Sequence, residues 1–466
     1  MNTNRNLFLM SLPIFVELLL QLLVGNVDQM MVSRVSQPSV AAIVNANQIM
    51  NLVIIVLSMA STAVTVILSQ YLGAQDEKNA SRTCMVSIVL IGGVSLAATI
   101  LVFAGHTPLY RAIHVPEEVF DEASLYLLIV GAFILVQGLY LTFSAMIRAF
   151  AMVKEVMIIS VIMNAMNIVG NAILINGWFG MPQLGAVGAA ISTDISKLVG
   201  LALMIGMFFK SRRVKMGMSY LRPFPVQILK NLCLLAIPTG VESFSYNLSQ
   251  MMILGIVNSF GTLVTVTKGY CTIFANIDYV YAMAIATATQ IVLGYLIGAR
   301  RLNDIQKRVN ATLKVAIAAC VGMAVLMCLG GKYIFLIFTD NPEIIALGRR
   351  ILVIEIVLEI GRAVNIVMTK CLIAVGDVLT PTTVGITFQW VVAAAGSWLN
   401  GPERGTAVID FFQLFHEKRK LPFAGAVIKA VRICDRNISV RKEFCDQDKV
   451  TVLRQASLTH KGDQDM

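Results

Sequence analysis

Long apolar runs, each broken by a short polar stretch, recur along the chain as far as residue 399. A hydrocarbon core about 30 Å thick needs roughly 20 apolar residues per helix. On that measure the pattern predicts helices over residues 7–32, 49–73, 83–104, 123–146, 156–175 and 185–209. A second group follows over 231–257, 265–296, 311–331, 348–372 and 381–399. The apolar–polar alternation of a barrel is absent from the sequence, and backbone groups in lipid must be satisfied within their own segment, so the fold class is an all-α polytopic membrane protein. The longest polar interruption, "KSRRVKMGMSYLRPFPVQILK", separates the two groups. The expected organisation is a six-helix lobe (1–209), a basic cytoplasmic linker (210–230), a second lobe with five clear helices (231–399) and a polar tail (400–466).

The two groups resemble each other. At a shift of about 225 residues Pro13 falls against Pro238, Val16 against Val241, Glu17 against Glu242, and Gly73 against Gly298. A unit of six crossings is even, so the halves share one orientation and are expected to be related by a pseudo-two-fold axis along the membrane normal, with substrate near their interface.

Composition agrees with the pattern: 57% of the 466 residues are hydrophobic and 14% charged, with a mean hydropathy of +0.76, where soluble domains carry about a quarter charged residues. The formal charge of +10 reads first as a topology signal. Lysine and arginine gather in alternate loops, around Lys78 and Arg82, Arg148 and Lys154, Lys210 to Lys230, and Arg300 to Arg308, which predicts a cytoplasmic N-terminus. The loop at 105–122 on the other side is acidic. No small-residue cleavage site ends the first apolar run, so it is read as helix 1 and not as a removable signal. The eight scattered cysteines lack metal spacing and read as packing residues.

Ionisable groups at mid-depth cost roughly 2.5–3.5 kcal/mol on insertion scales and usually face protein or water. At 100° per residue, Pro13, Glu17, Gln21 and Asp28 fall within about 80° of arc, and Pro238, Glu242, Ser245, Tyr246 and Ser249 form a similar stripe. Each proline removes a backbone donor one turn before its acid, which suits either a functional bend or plain helix packing. Glu17 and Glu242 read as exchange sites for a proton, Na⁺ or a cationic substrate, or else as structural, hydrogen-bonded glutamates. Asp28 reads equally as an ion site or as an interfacial partner of Arg34. Ser160, Asn164, Asn167 and Asn171 line one face of the fifth helix, as cation ligands or helix-packing amides. In the tenth helix Glu359 and Arg362 form an expected structural ion pair. Glu355 has no obvious partner there, and with Asp278 it is a further candidate for ion coupling.

A membrane enzyme would need a nucleophile with its base, or a metal cluster. No H-E-x-x-H, P-loop or G-x-S-x-G stretch occurs, and the four histidines lie in the loop at 105–122 and in the tail. The expectation is a transporter, not an enzyme, without cofactor, nucleic-acid partner or bound metal other than Na⁺.

The stretches "LPIFVELLLQLLVGNVDQMMVSRV", "ILSQYLGAQDEKNASR", "IPTGVE" and "EIGRAVNIVMTKCLIAVGDVLTP" resemble the multidrug and toxic compound extrusion (MATE) family over about residues 1–399. The resemblance implies two six-helix lobes in a V and a central cavity opening alternately to either face. It also implies a monomer in the cell membrane that exports small organic, often cationic compounds against inward Na⁺ or H⁺. Asp28 then matches the family's acid on helix 1, Asn167 a polar position of helix 5, and Glu242 the glutamate of helix 7, while Glu355 lies where the family places acids. Many members carry aspartate at Asn171. Members continue into a twelfth helix, whereas here "GPERGTAVIDFFQLFHEKRK" follows Asn400 and no window can span a bilayer. The expectation is that the reading frame departs from the family after about Leu399 and that the twelfth helix is missing. The alternatives are a lipid-linked precursor flippase of the same superfamily, with a more basic cavity, or an inactive truncated or frameshifted transporter.

Overall fold

The computed structural model describes residues 4–33, 36–112, 115–336 and 338–399; the tail at 400–466 lies outside them. The described residues form twelve α-helices and no strand. The first lobe holds α1 (Asn4–Ser33), α2 (Gln37–Gly73), α3 (Glu77–Ala112), α4 (Glu117–Ala132), α5 (Ile134–Ala149), α6 (Val153–Asn176) and α7 (Gly185–Ser211). The second holds α8 (Val226–Asn258), α9 (Thr262–Gly298), α10 (Leu302–Phe335), α11 (Pro342–Val375) and α12 (Leu379–Leu399). Seven helices are long and apolar enough to cross a bilayer, and α4 with α5 makes an eighth span bent by 45°.

That bend corrects the single helix expected at 123–146. At Phe133 the N–H turns to the Val130 carbonyl, three residues back at 3.2 Å, a tighter step that breaks the α-ladder. Helix ends also run past their apolar cores, because hydropathy fades before backbone hydrogen bonding does. The segment expected as an acidic outer loop is largely helical. α3 continues through Pro108 to Ala112, and buried Tyr110 donates to the Ala123 carbonyl at 3.0 Å and meets Phe120 edge-on. Likewise α8 begins at Val226, inside the stretch read as linker, and the Lys215 N–H donates to Ser81 Oγ at 3.2 Å, docking that linker on α3.

The lobes interleave at the end where α1 and α8 begin. Leu7, Met10 and Ile14 of α1 are buried in the core of the second lobe among α9, α10 and α11 residues. Ile228, Leu232 and Leu235 of α8 are buried in the core of the first. Each leading helix therefore starts in the opposite lobe. Pro13 and Pro238 sit inside these helices just where the crossing ends. Phe15 stacks edge-on with Tyr281 of α9, and in the related place Ser243 of α8 contacts Met59 of α2.

On the pseudo-two-fold axis α2 and α9 cross at their C-terminal ends. A Cβ on Gly73 would overlap the backbone of Tyr295, one on Gly298 the backbone of Gln70, and one on Gly294 the side chain of Ser69. Ser69 and Gly294 are repeat partners, as are Gln70 with Tyr295 and Gly73 with Gly298, so the contact maps onto itself when the lobes are exchanged. Such close approach is the usual basis of helix association in lipid, where apolar surface gives little drive. The same repeat positions clasp the lobes: Gln70 Nε2 donates to the Ala374 carbonyl of α11 at 2.8 Å, and the Tyr295 hydroxyl to the Ala149 carbonyl of α5 at 2.8 Å. Arg308 adds a bond to Asn4 Oδ1 at 2.6 Å.

Replacing Gly298 by alanine is expected to force α2 and α9 apart at a cost of about 1–3 kcal/mol, lowering Tm in detergent. Gly255→Ala, where nothing lies within 4 Å, should not lower it. Equal melting of the two variants would show that the crossing is not held in this close form.

Candidate functional site

Three helices of the first lobe bring its polar residues together. Asn167 and Asn171 are one turn apart on α6 and both buried, and α6 lies close enough to α7 that a Cβ on Gly170 would overlap Ser192. Asn171 Nδ2 donates to Asp28 Oδ1 of α1 at 2.5 Å, and at 3.4 Å to Asn167 Oδ1. Asn167 Nδ2 passes the chain on to Thr193 Oγ1 of α7 at 3.1 Å. Asp28 is thus held by an amide; the alternative partner Arg34 lies outside the described residues. Asn164 is buried one turn before Asn167, and its Nδ2 has no hydrogen-bond partner. The neighbouring Asp194 is 2% exposed, and among the described residues neither carboxylate oxygen has a hydrogen-bond partner. Lys197, one turn further along α7, lies within electrostatic reach of both Asp194 and Asp28, as does Tyr126 of α4. A set of carboxylate, amide and hydroxyl oxygens suits a proton or a hard monovalent cation.

The two leading-helix glutamates each have a basic neighbour near the end of α5 or α11. Glu17 is 1% exposed and accepts from Arg148 of α5 at 2.5 Å. Glu242, half-buried, lies within electrostatic reach of Lys370 of α11, and a Cβ on Gly385 of α12 would sit 3.1 Å from its carboxylate. Arg148 and Lys370 lie near the ends of α5 and α11 but three residues out of register, since the shift of 225 that pairs Ala149 with Ala374 sets Arg148 against Ile373. Lys370 also lies within electrostatic reach of Arg148.

In the second lobe Arg362 holds two acids. It bonds Glu359, as the sequence predicts, and also Glu355 Oε1 at 2.7 Å, with a further bond to the Ala275 carbonyl at 3.3 Å. The expectation that Glu355 lacks a partner is corrected: the guanidinium has donors on two ends and α11 places the acids four residues apart on one face. Asp278 is buried beside this group, lines a small void with Glu355, and its Oδ1 has no hydrogen-bond partner. Among the described residues no three His, Cys, Asp or Glu side chains are placed to hold a metal ion. The first-lobe and second-lobe groups are thus separate clusters. Asp194, Lys197 and Lys370 went unnoticed in the sequence pattern, although each is an ionisable residue inside a predicted helix and that signal alone marks them.

The MatE family model matches residues 13–173 and 238–399, so that its two segments start at the repeated prolines. The chain belongs to the MatE family. The "Uncharacterized transporter YisQ" of Bacillus subtilis is 33% identical over 400 residues, covering 86% of this MatE chain and 88% of the relative. The "Probable multidrug resistance protein NorM" of Chromobacterium violaceum is 26% identical over 404 residues, covering 84% and 85%. A crystal structure of MATE in the bent conformation superposes with a TM-score of 0.83 at 18% identity, covering 94% of this chain and 96% of that one. This MatE chain therefore has the fold of two six-helix lobes about a pseudo-two-fold axis, of which twelve α-helices, α4 and α5 together forming one bent span, lie in the described residues.

Removing one partner of a buried ion pair leaves a charge uncompensated, at about 3–5 kcal/mol. Glu17→Gln is therefore expected to lower Tm sharply, and adding Arg148→Met should restore much of the loss. If the double variant melts no higher than the single one, the pair is not what Glu17 contributes.

Proposed function

We propose that this chain is a secondary antiporter of the cell membrane, with its N-terminus cytoplasmic, that exports small organic, often cationic compounds in exchange for inward Na⁺ or H⁺. The observation that carries the reading is the chain of bonds from Asp28 through Asn171 and Asn167 to Thr193, which ties an intramembrane acid to three helices of one lobe. Membership of MatE and the multidrug-resistance name of the relative from Chromobacterium violaceum support it. Acids outnumber bases in the first-lobe cluster, which favours a cationic cargo over the anionic one of a lipid-linked precursor flippase.

The mechanism is competition between two lobe arrangements. In the arrangement described here the lobes are clasped at the end where α2 and α9 finish, which the basic loops assign to the cytoplasm. A cation arriving from outside neutralises Asp28 and, in the second lobe, Glu242. Cargo that depends on those charges then leaves, and the loaded acids favour the opposite arrangement. Such coupling requires only that the ion bind the two arrangements with different affinity.

Purified protein in vesicles with an imposed ΔpH or ΔpNa is expected to expel a cationic dye in response to one of the gradients. Asp28→Asn and Glu242→Gln should each cut the driven component at least about tenfold, equivalent to about 1.4 kcal/mol. Efflux indifferent to both gradients would sink the antiport reading.

A further inference from the structure

Asp194 is an acid with nothing to do in the scheme above. It is 2% exposed, both of its oxygens lack a hydrogen-bond donor among the described residues, and it follows Thr193 at the end of the Asp28 chain. An isolated buried carboxylate is too costly to keep ionised. Its compensation is Lys197, one turn along the same helix face. Yet Lys197 also lies within reach of Asp28 on α1. The charged groups within electrostatic reach of this ammonium are Asp28 on α1 and Asp194 on its own helix, and Tyr126 of α4 lies within reach of both acids. One ammonium cannot neutralise two carboxylates, so a single negative charge is left over when all three are ionised. Asn171 offers the site an acceptor as well, because its buried Oδ1 has no partner.

We infer that Lys197 is a tethered cation that competes with the coupling ion for the acids of the first lobe. It leans on Asp28 when no external ion is bound and turns back to Asp194 when one takes Asp28. The inference rests on the proposed use of Asp28 as a coupling acid. A lysine can play this part because its ammonium is a point charge on a flexible four-carbon stem, with two anchors on different helices within range. The tether lowers affinity for the external ion and provides an internal substitute as that ion departs, so the acids are not left bare during return of the empty transporter.

The test uses purified full-length protein in detergent, with Na⁺ as the probe and the Na⁺-dependent rise in Tm as the readout. Lys197→Gln is expected to lower the Na⁺ concentration for half-maximal effect at least about tenfold relative to the parent, since a nearby positive charge has been removed. Lys197→Arg, which keeps the charge, should follow the parent, and Lys197→Met should follow Lys197→Gln. The gain should vanish in the Asp28→Asn, Lys197→Gln double variant. Asp194→Asn, which leaves Lys197 only Asp28, should bind Na⁺ no more tightly than the parent. Unchanged Na⁺ response in both neutral variants overturns the inference, as does a gain that survives loss of Asp28 or tighter binding by Asp194→Asn. Dye efflux that ignores both gradients would defeat the antiport reading while leaving this binding result standing.

Discussion

Backbone meets backbone where α2 and α9 cross on the pseudo-two-fold axis, and the rest of the inter-lobe architecture is arranged around that contact. With glycine at 73, 294 and 298 the two helices come near enough for Gln70 and Tyr295 to reach carbonyls at the ends of α11 and α5 in the opposite lobe. Those bonds close α5 and α11 over the crossing, and α5 and α11 are the helices that carry Arg148 and Lys370. The position of the basic groups beside Glu17 and Glu242 thus follows from how closely two other helices approach. In lipid this is a sound basis for assembly, because shape and hydrogen bonding must supply what the hydrophobic effect supplies in water.

The charges inside the membrane fall into two kinds. Some are closed: Glu17 with Arg148, and Glu359 with Arg362, have a buried acid and a guanidinium already in contact. Others are open: among the described residues Asp28 is hydrogen-bonded by an amide, Asp194 and the Oδ1 of Asp278 have no donor, and Lys197 lies within electrostatic reach of two acids. Closed pairs stiffen a lobe and are poor places to bind an ion. Open groups keep an electrostatic debt that a visiting cation can settle, and in the first lobe they lie on two helices, α1 and α7.

Much of this is legible in the sequence, and the rest is hidden for a physical reason. Helix number, duplication and the polar face of α6 all follow from periodicity, which is a local property. The place of Glu17 and Glu242 in the repeat is equally plain. Their partners are not, because Arg148 sits at the end of an apolar run, where a basic residue reads as a loop marker, and only packing turns it inward. Glu355 reads as unpaired when one arginine is assigned to one acid, whereas a guanidinium holds two. Asp194 and Lys197 are within reach of the same depth rule that singles out Glu17, but α7 is otherwise unremarkable and has no counterpart stripe to draw attention to it.

The exchange of leading helices bears on how the chain is made. The core of the first lobe includes Ile228, Leu232 and Leu235, residues that leave the ribosome after every other helix of that lobe. Domains usually complete their folding in the order of synthesis, but here the first lobe emerges with a gap in its core and the start of α1 without its final neighbours. Both are settled only as α8, and then α9 to α11, enter the membrane. Biogenesis therefore joins the two lobes before either is finished, and a chain released early, between the lobes, would hold an incomplete half and not a stable one.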